Sequence, residues 1–350
     1  MTGQGSVETT YVRNAWYVAA TSAELGRALL ARTFMDEPVV LWRKQDGAPA
    51  AIEDRCCHRH LPLSLGVLEG DDIRCGYHGL RFDCSGACVE IPGQPNIPAR
   101  AKVKSYPVAE RWQWVWIWMG DPALADPDKI PDVWWGGHRE WKMSLYAPVH
   151  LACDYRLIAD NVLDATHLTY VHASSIGAGS ITEVDPVVEH SDDHVLVARW
   201  VLDRPPPPAY AKAGGFAGNA DRYAAVEFRP PNFCVNFANC YDPGCGGPEG
   251  DTSKSEHKVE FVAISLPTPE TATSCHYFFG FSRNFGLDDV EIEAFFSKGM
   301  LAVFEEDFVI LEAQQKRMTQ FPHANQVDIR TDNGPVLARR LLRRRIAAEA

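Results

Sequence analysis

The sequence has little positive charge. Its 34 lysines and arginines are outnumbered by 46 aspartates and glutamates, which gives 350 residues a net charge of −12. A chain without basic excess has no general attraction for phosphate backbones or anionic lipid. It also lacks a signal-peptide core and any apolar run near the ~20 residues that a membrane span needs. We therefore expect a cytoplasmic protein that binds neither nucleic acid nor membrane.

Nucleotide-binding signatures and internal repeats are also missing. No Gly-x-Gly-x-x-Gly follows a strand-like run and no P-loop is present, so the chain offers no evident nicotinamide or nucleotide site. The ten cysteines are too sparse for a disulfide scaffold in a chain of this length without an export signal. Several cysteines are therefore expected to be free thiols or metal ligands.

Two kinds of patterning divide the chain. From Phe34 to Trp118, short β-branched and aromatic runs alternate with turn residues, which is typical of a small all-β domain. A proline-punctuated stretch over 121–132 reads as an irregular linker. Beyond it, helical spacing and strand-like runs mix, which predicts an α+β unit with a largely antiparallel sheet. We predict one domain over residues 10–125 and a second over residues 135–350.

Four potential metal ligands occur as two short mixed pairs. Cys56 and His58 form a Cys-x-His pair, and after sixteen intervening residues Cys75 and His78 form a Cys-x2-His pair. Such a set could hold one tetrahedral zinc ion, or a [2Fe–2S] cluster with cysteines on one iron and histidines on the other. Zinc fingers usually pair like with like, so the mixed pairs favour the cluster.

A second group follows the pattern Asn-x2-Asp-x2-His-x4-His. Its members are Asn161, Asp164, His167 and His172. On a regular helix Asp164 and His167 share a face, whereas His172 would lie about 140° away from His167. One metal ion can therefore take both imidazoles only if the helix breaks or bulges between them.

Together the two groups resemble the metal-binding signatures of Rieske non-haem iron oxygenases. Residues 59–64 and 79–83, which follow the mixed pairs, resemble the two Rieske boxes. Residues 106–111 and 332–335 are similar to the vanillate O-demethylase oxygenase branch. The resemblance implies an N-terminal all-β Rieske [2Fe–2S] domain followed by an α+β catalytic domain with a helix-grip-like antiparallel sheet.

The resemblance also implies a set of metal ligands. The two mixed pairs would bind the cluster, and His167 and His172 would bind mononuclear Fe(II). The family's third iron ligand is a carboxylate in an acidic turn that precedes an apolar residue and then Glu-Ala. Residues 304–313 match that turn with Asp307, and Glu306 is the competing choice.

Asp164 and Asn161 are the predicted catalytic side chains outside the ligand set. In the family, a carboxylate at the position of Asp164 bridges a cluster histidine of one subunit to an iron-bound histidine of its neighbour. Head-to-tail contacts of this kind close into a ring, so the resemblance implies a homotrimer.

Two imidazoles and one carboxylate leave positions of the iron open, which suits O2 activation. Because no nucleotide site is apparent in the sequence, electrons from NAD(P)H would arrive through a separate flavin/iron–sulfur reductase. The resemblance implies a terminal monooxygenase acting on a small aromatic, foremost O-demethylation of a methoxylated aromatic acid with release of formaldehyde. Hydroxylation of an aryl methyl group or an aromatic ring is the alternative for the same iron centre.

Two other classes of function compete. A Rieske electron carrier needs only the first metal group, and a zinc-stabilised binding protein needs no iron. The length of the chain beyond the linker, about 220 residues, argues against a carrier. For an oxygenase, the substrate pocket is expected within residues 209–285. Its polar candidates are Asn232, Asn236, Asn239 and His276.

Overall fold

The computed structural model describes residues 11–173 and 184–349. From residue 11 the chain forms strands joined by turns and short 3-10 helices, and the first α-helix among the described residues begins at Tyr155. The predicted order of an all-β part followed by an α+β part is therefore confirmed. None of the described helices combines the length and the apolar composition that crossing a bilayer requires.

The chain packs as two compact units. The first extends to Asp132 and also includes Thr268–Ala272 and Glu349, and the remaining described residues form the second. The first unit therefore ends between residues 125 and 135, the inner limits that the sequence suggests for the two domains. The outer limits at residues 10 and 350 lie outside the described residues.

The described part of the first unit contains ten short antiparallel strands. They are β1 (Trp16–Thr21), β2 (Leu30–Phe34), β3 (Glu37–Arg43), β4 (Pro49–Glu53), β5 (Val67–Glu69), β6 (Asp72–Arg74), β7 (Arg81–Phe82), β8 (Cys88–Glu90), β9 (Val108–Arg111) and β10 (Trp114–Trp118). Three sheets result, with strand orders β1-β10-β9, β2-β3-β4 and β5-β6-β7-β8.

Packing of apolar side chains explains why these short runs form strands. Every residue of β10 is buried, because aromatic and β-branched side chains fill both faces of the strand. A hydrophobic core cluster joins Val40 and Ile52 of one sheet to Phe82 of another, and it includes Cys56 and Cys75. The loops that carry the mixed ligand pairs are therefore held by the hydrophobic core beneath them.

Within its described residues, the second unit combines nine strands with four α-helices. The strands are β11 (Lys142–Leu145), β12 (Val149–Leu151), β13 (Val187–His190), β14 (Val195–Arg204), β15 (Ala220–Arg229), β16 (Phe233–Tyr241), β17 (Lys258–Val259), β18 (Phe261–Thr271) and β19 (Ser274–Arg283). The helices are α1 (Tyr155–Leu163), α2 (Pro208–Gly214), α3 (Val290–Gln320) and α4 (Asn333–Ala347). One sheet contains all nine strands, in the order β11-β19-β18-β16-β15-β14-β13, with β12 beside β19 and β17 beside β16.

Helices pack on one face of this sheet, which we name the helix face. Val197 of β14, Val226 of β15 and Asn236 of β16 are opposed in register and therefore share a face. A Cβ built on Gly334 of α4 would meet Val197 at 2.5 Å, so α4 covers that face.

The long helix α3 packs on the same face. Ser265 of β18 is opposed to Cys234, which lies two residues before Asn236, and its hydroxyl is 2.7 Å from that of Tyr277. The Tyr277 ring in turn contacts aromatic side chains of α3. Side chains of the helix face in the central strands therefore point towards the helices that carry the second ligand group.

The segment with that ligand group is not one continuous helix. α1 begins after Asp154, whose carboxylate accepts a hydrogen bond from the N–H of Arg156, and it ends at Leu163. A 3-10 helix then spans Ala165–Thr169, and the side chain of Asp164 caps its first turn. Helical geometry therefore ends between His167 and His172, and this break allows both imidazoles to face one point.

Candidate metal centres

Two loops with the same backbone geometry carry the first ligand group. The N–H groups of Cys56 and Cys75 each donate to the carbonyl five residues on, at 2.9 and 2.8 Å. Four positions after each cysteine, the N–H groups of His60 and Gly79 donate to the carbonyls of Cys56 and Cys75, at 3.0 and 3.1 Å. Both have positive φ, 61° and 75°, a conformation that suits glycine and is unusual for histidine.

Burial separates the two ligand types. Cys56 and Cys75 are only 2% and 3% exposed, whereas His58 and His78 are exposed, with ring centroids 4.5 Å apart. In the described part of the chain, these four are not among the groups whose ligand atoms all lie within 4.8 Å, as one tetrahedral ion would require. Inner thiolates and outer imidazoles instead fit a cluster with two irons.

The Cys56 thiol would release its proton when a metal binds. Burial raises the pKa of the Cys56 thiol, and the nearby Cys75 reinforces this, although the main-chain N–H of His58 hydrogen-bonds the sulfur and opposes it. Thiols of raised pKa remain protonated without a metal, and metal binding displaces the proton. The N–H of His58 is already oriented to stabilise a sulfur that carries negative charge.

The two histidines of the second ligand group converge with Asp307 on one point. Ligand atoms of His167, His172 and Asp307 all lie within 4.8 Å of one another. The Oδ1 atom of Asp307 is 3.2 Å from Nε2 of His172 and 3.7 Å from Nε2 of His167. Two imidazoles and one carboxylate arranged in this way are the donor set of non-haem Fe(II) sites.

A backbone carbonyl orients His167. Its Nδ1 lies 2.5 Å from the main-chain oxygen of Asp164, which leaves Nε2 directed at the ligand group. Oδ1 of Asp164 accepts hydrogen bonds from the N–H and the hydroxyl of Thr166, at 2.9 and 2.7 Å. Asp164 therefore fixes the ring through its backbone while its carboxylate shapes the 3-10 turn.

A carboxylate of α3 orients His172. The ring is 1% exposed, and its Nδ1 lies 2.6 Å from Oε2 of Glu306. Burial alone would lower the pKa of His172, but hydrogen bonds with Asp307 and Glu306 outweigh it and raise the pKa. Glu306 therefore lies on the Nδ1 side of the ring, whereas Asp307 lies on the Nε2 side, where a metal ion would bind.

The position of Asp307 follows from the register of α3. Phe304 and Phe308, three residues before and one after it, pack against Tyr277 on the helix face, so this side of α3 faces the sheet. The Nδ2 atom of Asn161 donates to Oδ1 of Asp307 at 3.1 Å. Asn161 thus links α1 to the carboxylate and restricts its orientation.

The four polar pocket candidates have different surroundings. Asn236 lies on the helix face, and its buried Oδ1 has no hydrogen-bond partner among the described residues. Asn239 lies on the opposite face and engages the Tyr241 hydroxyl and a backbone N–H. Asn232 donates to the carbonyl of Pro267 at 2.8 Å, and His276 is adjacent to Tyr277 and so points to the other face.

Sequence reasoning overlooked Arg199 of β14. This residue is 6% exposed, lies two residues from Val197 on the helix face, and donates from Nε to the carbonyl of Val184 at 3.1 Å. Burial lowers the pKa of its guanidinium, and the negative charge of Asp164 opposes that shift. An arginine at an inward position of an alternating apolar strand was the available signal.

Comparison with known proteins places both halves of the chain. Residues 15–107 match the Rieske [2Fe-2S] domain family, and residues 151–348 match the vanillate O-demethylase oxygenase C-terminal domain. The chain is 42% identical over 343 residues to the toluene-4-sulfonate monooxygenase system iron–sulfur subunit of Comamonas testosteroni, covering 97% of this chain and 98% of that protein. It is 37% identical over 346 residues to a vanillate O-demethylase oxygenase subunit of Pseudomonas sp., covering 97% and 96%.

A solved structure supports the same conclusion for the whole fold. Dicamba monooxygenase bound to 3,6-dichlorosalicylic acid superimposes with a TM-score of 0.88 at 34% identity, covering 97% of this chain and 99% of that one. The predicted cofactors, a Rieske [2Fe–2S] cluster and a mononuclear iron, and the predicted monooxygenase class with a separate reductase are thereby confirmed. The chain belongs to the Rieske non-haem iron oxygenases, in the branch defined by the vanillate O-demethylase oxygenase subunit.

Proposed function

We propose that His167, His172 and Asp307 bind the mononuclear iron. The convergence of their ligand atoms within 4.8 Å carries this proposal. The cluster is held by Cys56, His58, Cys75 and His78. The Rieske [2Fe–2S] domain spans residues 10–125, and the catalytic domain spans residues 135–350.

The reaction is the monooxygenation of a methyl group on a small aromatic. One atom of O2 enters a C–H bond and the other leaves as water, with two electrons from the reductase and two protons. For a methoxylated aromatic acid, the hydroxylated ether collapses to a phenol and formaldehyde. The bound iron supplies the oxygen chemistry and the cluster supplies electrons. The relative named for vanillate, 37% identical, supports this O-demethylation.

Hydroxylation of an aryl methyl group is the second candidate. It is favoured by the relative named for toluene-4-sulfonate, which is 42% identical to this chain. The two reactions differ in product, because an aryl methyl group yields a hydroxymethyl arene and no formaldehyde.

Product analysis tests both candidates. Holoenzyme, a compatible reductase and O2 are supplied with 4-methoxybenzoate in one reaction and 4-methylbenzenesulfonate in another, and O2 uptake is measured against product. Formaldehyde in equal amount to the phenol supports O-demethylation, and hydroxymethyl product supports methyl hydroxylation. The absence of both products from a panel of such methoxylated and methylated acids contradicts this function.

The residues around the iron have separable roles. Asp164 and Glu306 hold the imidazoles so that Nε2 of each faces the metal, and Asn161 holds the Asp307 carboxylate. Because each ligand is fixed before the metal binds, little reorganisation is needed on binding.

We also propose that electrons cross between subunits of a homotrimer. Asp164 and His167 line an open groove of about 800 Å³ that α1 and α4 flank, which leaves this side of the site accessible to a neighbouring cluster. In a head-to-tail ring, each cluster then serves the iron of the next subunit. A cytoplasmic location, where NAD(P)H feeds a flavin/iron–sulfur reductase, completes the proposal.

Complementation tests the transfer between subunits. Cys75→Ser removes the cluster and Asp307→Ala removes the iron, so each variant alone is inactive. Co-expressed variants regain activity if a cluster in one subunit reduces the iron of its neighbour. Mixed oligomers that hold both metals and stay inactive contradict transfer between subunits, and analytical ultracentrifugation checks the trimer itself.

A further inference from the structure

Two arginines lie near each other on the helix face of the large sheet. Arg199 of β14 is opposed in register to Ala224 of β15, and Arg222 lies two residues from Ala224 on the same strand. Side chains two apart on one strand share a face, and diagonal cross-strand neighbours have Cβ atoms about 7–8 Å apart. Both guanidinium groups can therefore approach one point above Ala224.

Small side chains leave space between these arginines and β18. Ala224 is opposed to Ala238 of β16, and both are half-buried although they lie in the middle of a nine-stranded sheet. Phe261 of β18 is fully buried and contacts α3 through Phe296. The helix face thus has a shallow depression over two alanines, with cationic side chains on one side and an aromatic ring on the other.

The surroundings of each arginine relate the depression to the iron site. Asp164, whose carbonyl orients His167, acts electrostatically on Arg199. Arg222 is half-buried and hydrogen-bonds the Cys240 thiol beside it. Both arginines lie on the helix face, the face of the sheet that α3 and α4 cover.

We infer that Arg199 and Arg222 bind the anionic group of the aromatic substrate, whose ring lies over Ala224 and Ala238. This inference rests on the proposed function and names its substrate class, small aromatics that carry a carboxylate or a sulfonate. Guanidinium groups bind either group through paired N–H donors, and the alanines give the ring a flat apolar surface.

The wild-type holoenzyme provides the first test, without turnover. Isothermal titration under anaerobic conditions and without reductase compares 4-methylbenzenesulfonate with neutral 4-methylbenzenesulfonamide, and 4-methoxybenzoate with neutral 4-methoxybenzamide. We expect at least one anion to bind roughly 10- to 100-fold more tightly than its neutral partner, because charge-assisted hydrogen bonds in a buried site contribute that much. The two pairs show whether sulfonate or carboxylate is preferred, and equal affinities in both pairs overturn the inference.

Variants then assign the preference to residues. Arg222→Gln and Arg199→Gln are each expected to weaken anion binding about tenfold or more, while the neutral partner binds as before. Arg222→Lys keeps the charge and should recover part of the affinity. Arg229→Gln is the matched control, since Arg229 lies at the exposed end of the same strand, and it should change neither affinity.

A third variant tests the depression itself. Ala224→Leu fills the space over the sheet and should weaken the anionic and neutral ligands alike, because it blocks the ring. If both glutamine variants retain the full anion preference, the arginines do not bind the anion and the inference fails. Product formation is not measured in these titrations, so a failure of the anion site and a failure of the proposed reaction are distinguishable.

Discussion

The two ring nitrogens of His172 have different partners, and this difference separates metal ligation from its support. Nε2 faces Asp307 at 3.2 Å, while Nδ1 is 2.6 Å from Glu306. Replacing Glu306 with glutamine removes the charge that fixes the ring tautomer. We expect iron affinity to fall about 10- to 100-fold, as for other outer partners of metal-bound histidines. Competition with a chelator, read as iron retained per chain, measures this effect.

Glu305→Gln provides the matched control for that prediction. Glu305 precedes Glu306 on α3, carries the same charge and is exposed. Its substitution should leave iron retention unchanged. Equal iron loss in both variants would trace the effect to the charge of the helix and would contradict a specific role for Glu306.

Asp307→Ala should separate the two metal centres. Asp307 contributes the only predicted carboxylate ligand, and its Oδ1 also accepts a hydrogen bond from Asn161. We expect the variant to lose the mononuclear iron and to retain the cluster, because Cys56 and Cys75 belong to the core of the other unit. Iron analysis should give two irons per chain with an unchanged Rieske signal in electron paramagnetic resonance. If the variant retained a third iron per chain, Asp307 would not be the carboxylate ligand, and another carboxylate would bind the iron.

At the scale of elements, alanine substitutions at two helical glycines should change the stability of the fold in opposite directions. A Cβ on Gly334 would lie 2.5 Å from Val197, whereas a Cβ on Gly299 in α3 would meet nothing within 4 Å. Gly334→Ala should push α4 from the sheet and lower the free energy of unfolding by about 1–3 kcal/mol. Gly299→Ala should raise it by about 0.5–1 kcal/mol, because alanine favours helix. Urea denaturation of both variants measures the pair, and equal shifts would refute the close contact.

A pH-dependent contact attaches α3 to β19. Burial alone would raise the pKa of Glu293, but hydrogen bonds from Ser144, Arg283 and Ser297 outweigh it and lower the pKa to about 2. A carboxyl of depressed pKa stabilises the fold fully above its ordinary value near 4.5, and this stabilisation is lost as the pH falls towards 2. Glu293→Gln should cost roughly 1–3 kcal/mol at pH 7, since Arg283 is fully buried and loses its charged partner.

The pH series gives this prediction its internal control. The difference in unfolding free energy between wild type and Glu293→Gln should shrink as the pH falls from 5 to 2. Glu291→Gln, on the exposed first turn of α3, should stay within about 0.5 kcal/mol of wild type. A constant difference across the series would show that Glu293 acts through packing alone.

Local sequence patterns predicted that a helix or strand forms better than they predicted where it ends. The mixed three- and four-residue spacing over 154–171 predicts a helix, yet α1 stops at Leu163 and a 3-10 helix follows. The cause is Asp164, whose side chain caps the next turn instead of continuing the first. Spacing alone could require a break between His167 and His172, but it could not identify the residue that causes the break.

At the scale of the whole molecule, ligand spacing carried most of what could be inferred. The family, the fold class and both cofactors followed from motifs that keep their order along the chain. The grouping of Thr268–Ala272 with the first unit could not be predicted, because Thr268–Thr271 continue strand β18, whose earlier residues belong to the second unit. Arg199 was overlooked because only strand register brings it near Arg222, and the roles of the individual site residues stay predictions.

Metal content provides a prediction for the intact protein. One [2Fe–2S] cluster and one mononuclear iron should give three irons per chain, with no zinc. The purified protein should be brown, and its reduced cluster should give a Rieske-type resonance. A colourless protein that holds zinc would contradict both iron centres. Two irons per chain together with full turnover would contradict the mononuclear iron site.

The mononuclear site joins parts of the chain that are distant in sequence. His172 and Glu306, which touch, are separated by 134 positions, and Asp307 follows directly. An ion bound by both segments closes a loop of more than a hundred residues. In the folded protein the two segments are already together, whereas in the unfolded chain the same closure would cost conformational entropy. Iron would therefore stabilise the folded state reversibly, and a shortage of iron would lower the free energy of unfolding of the catalytic half.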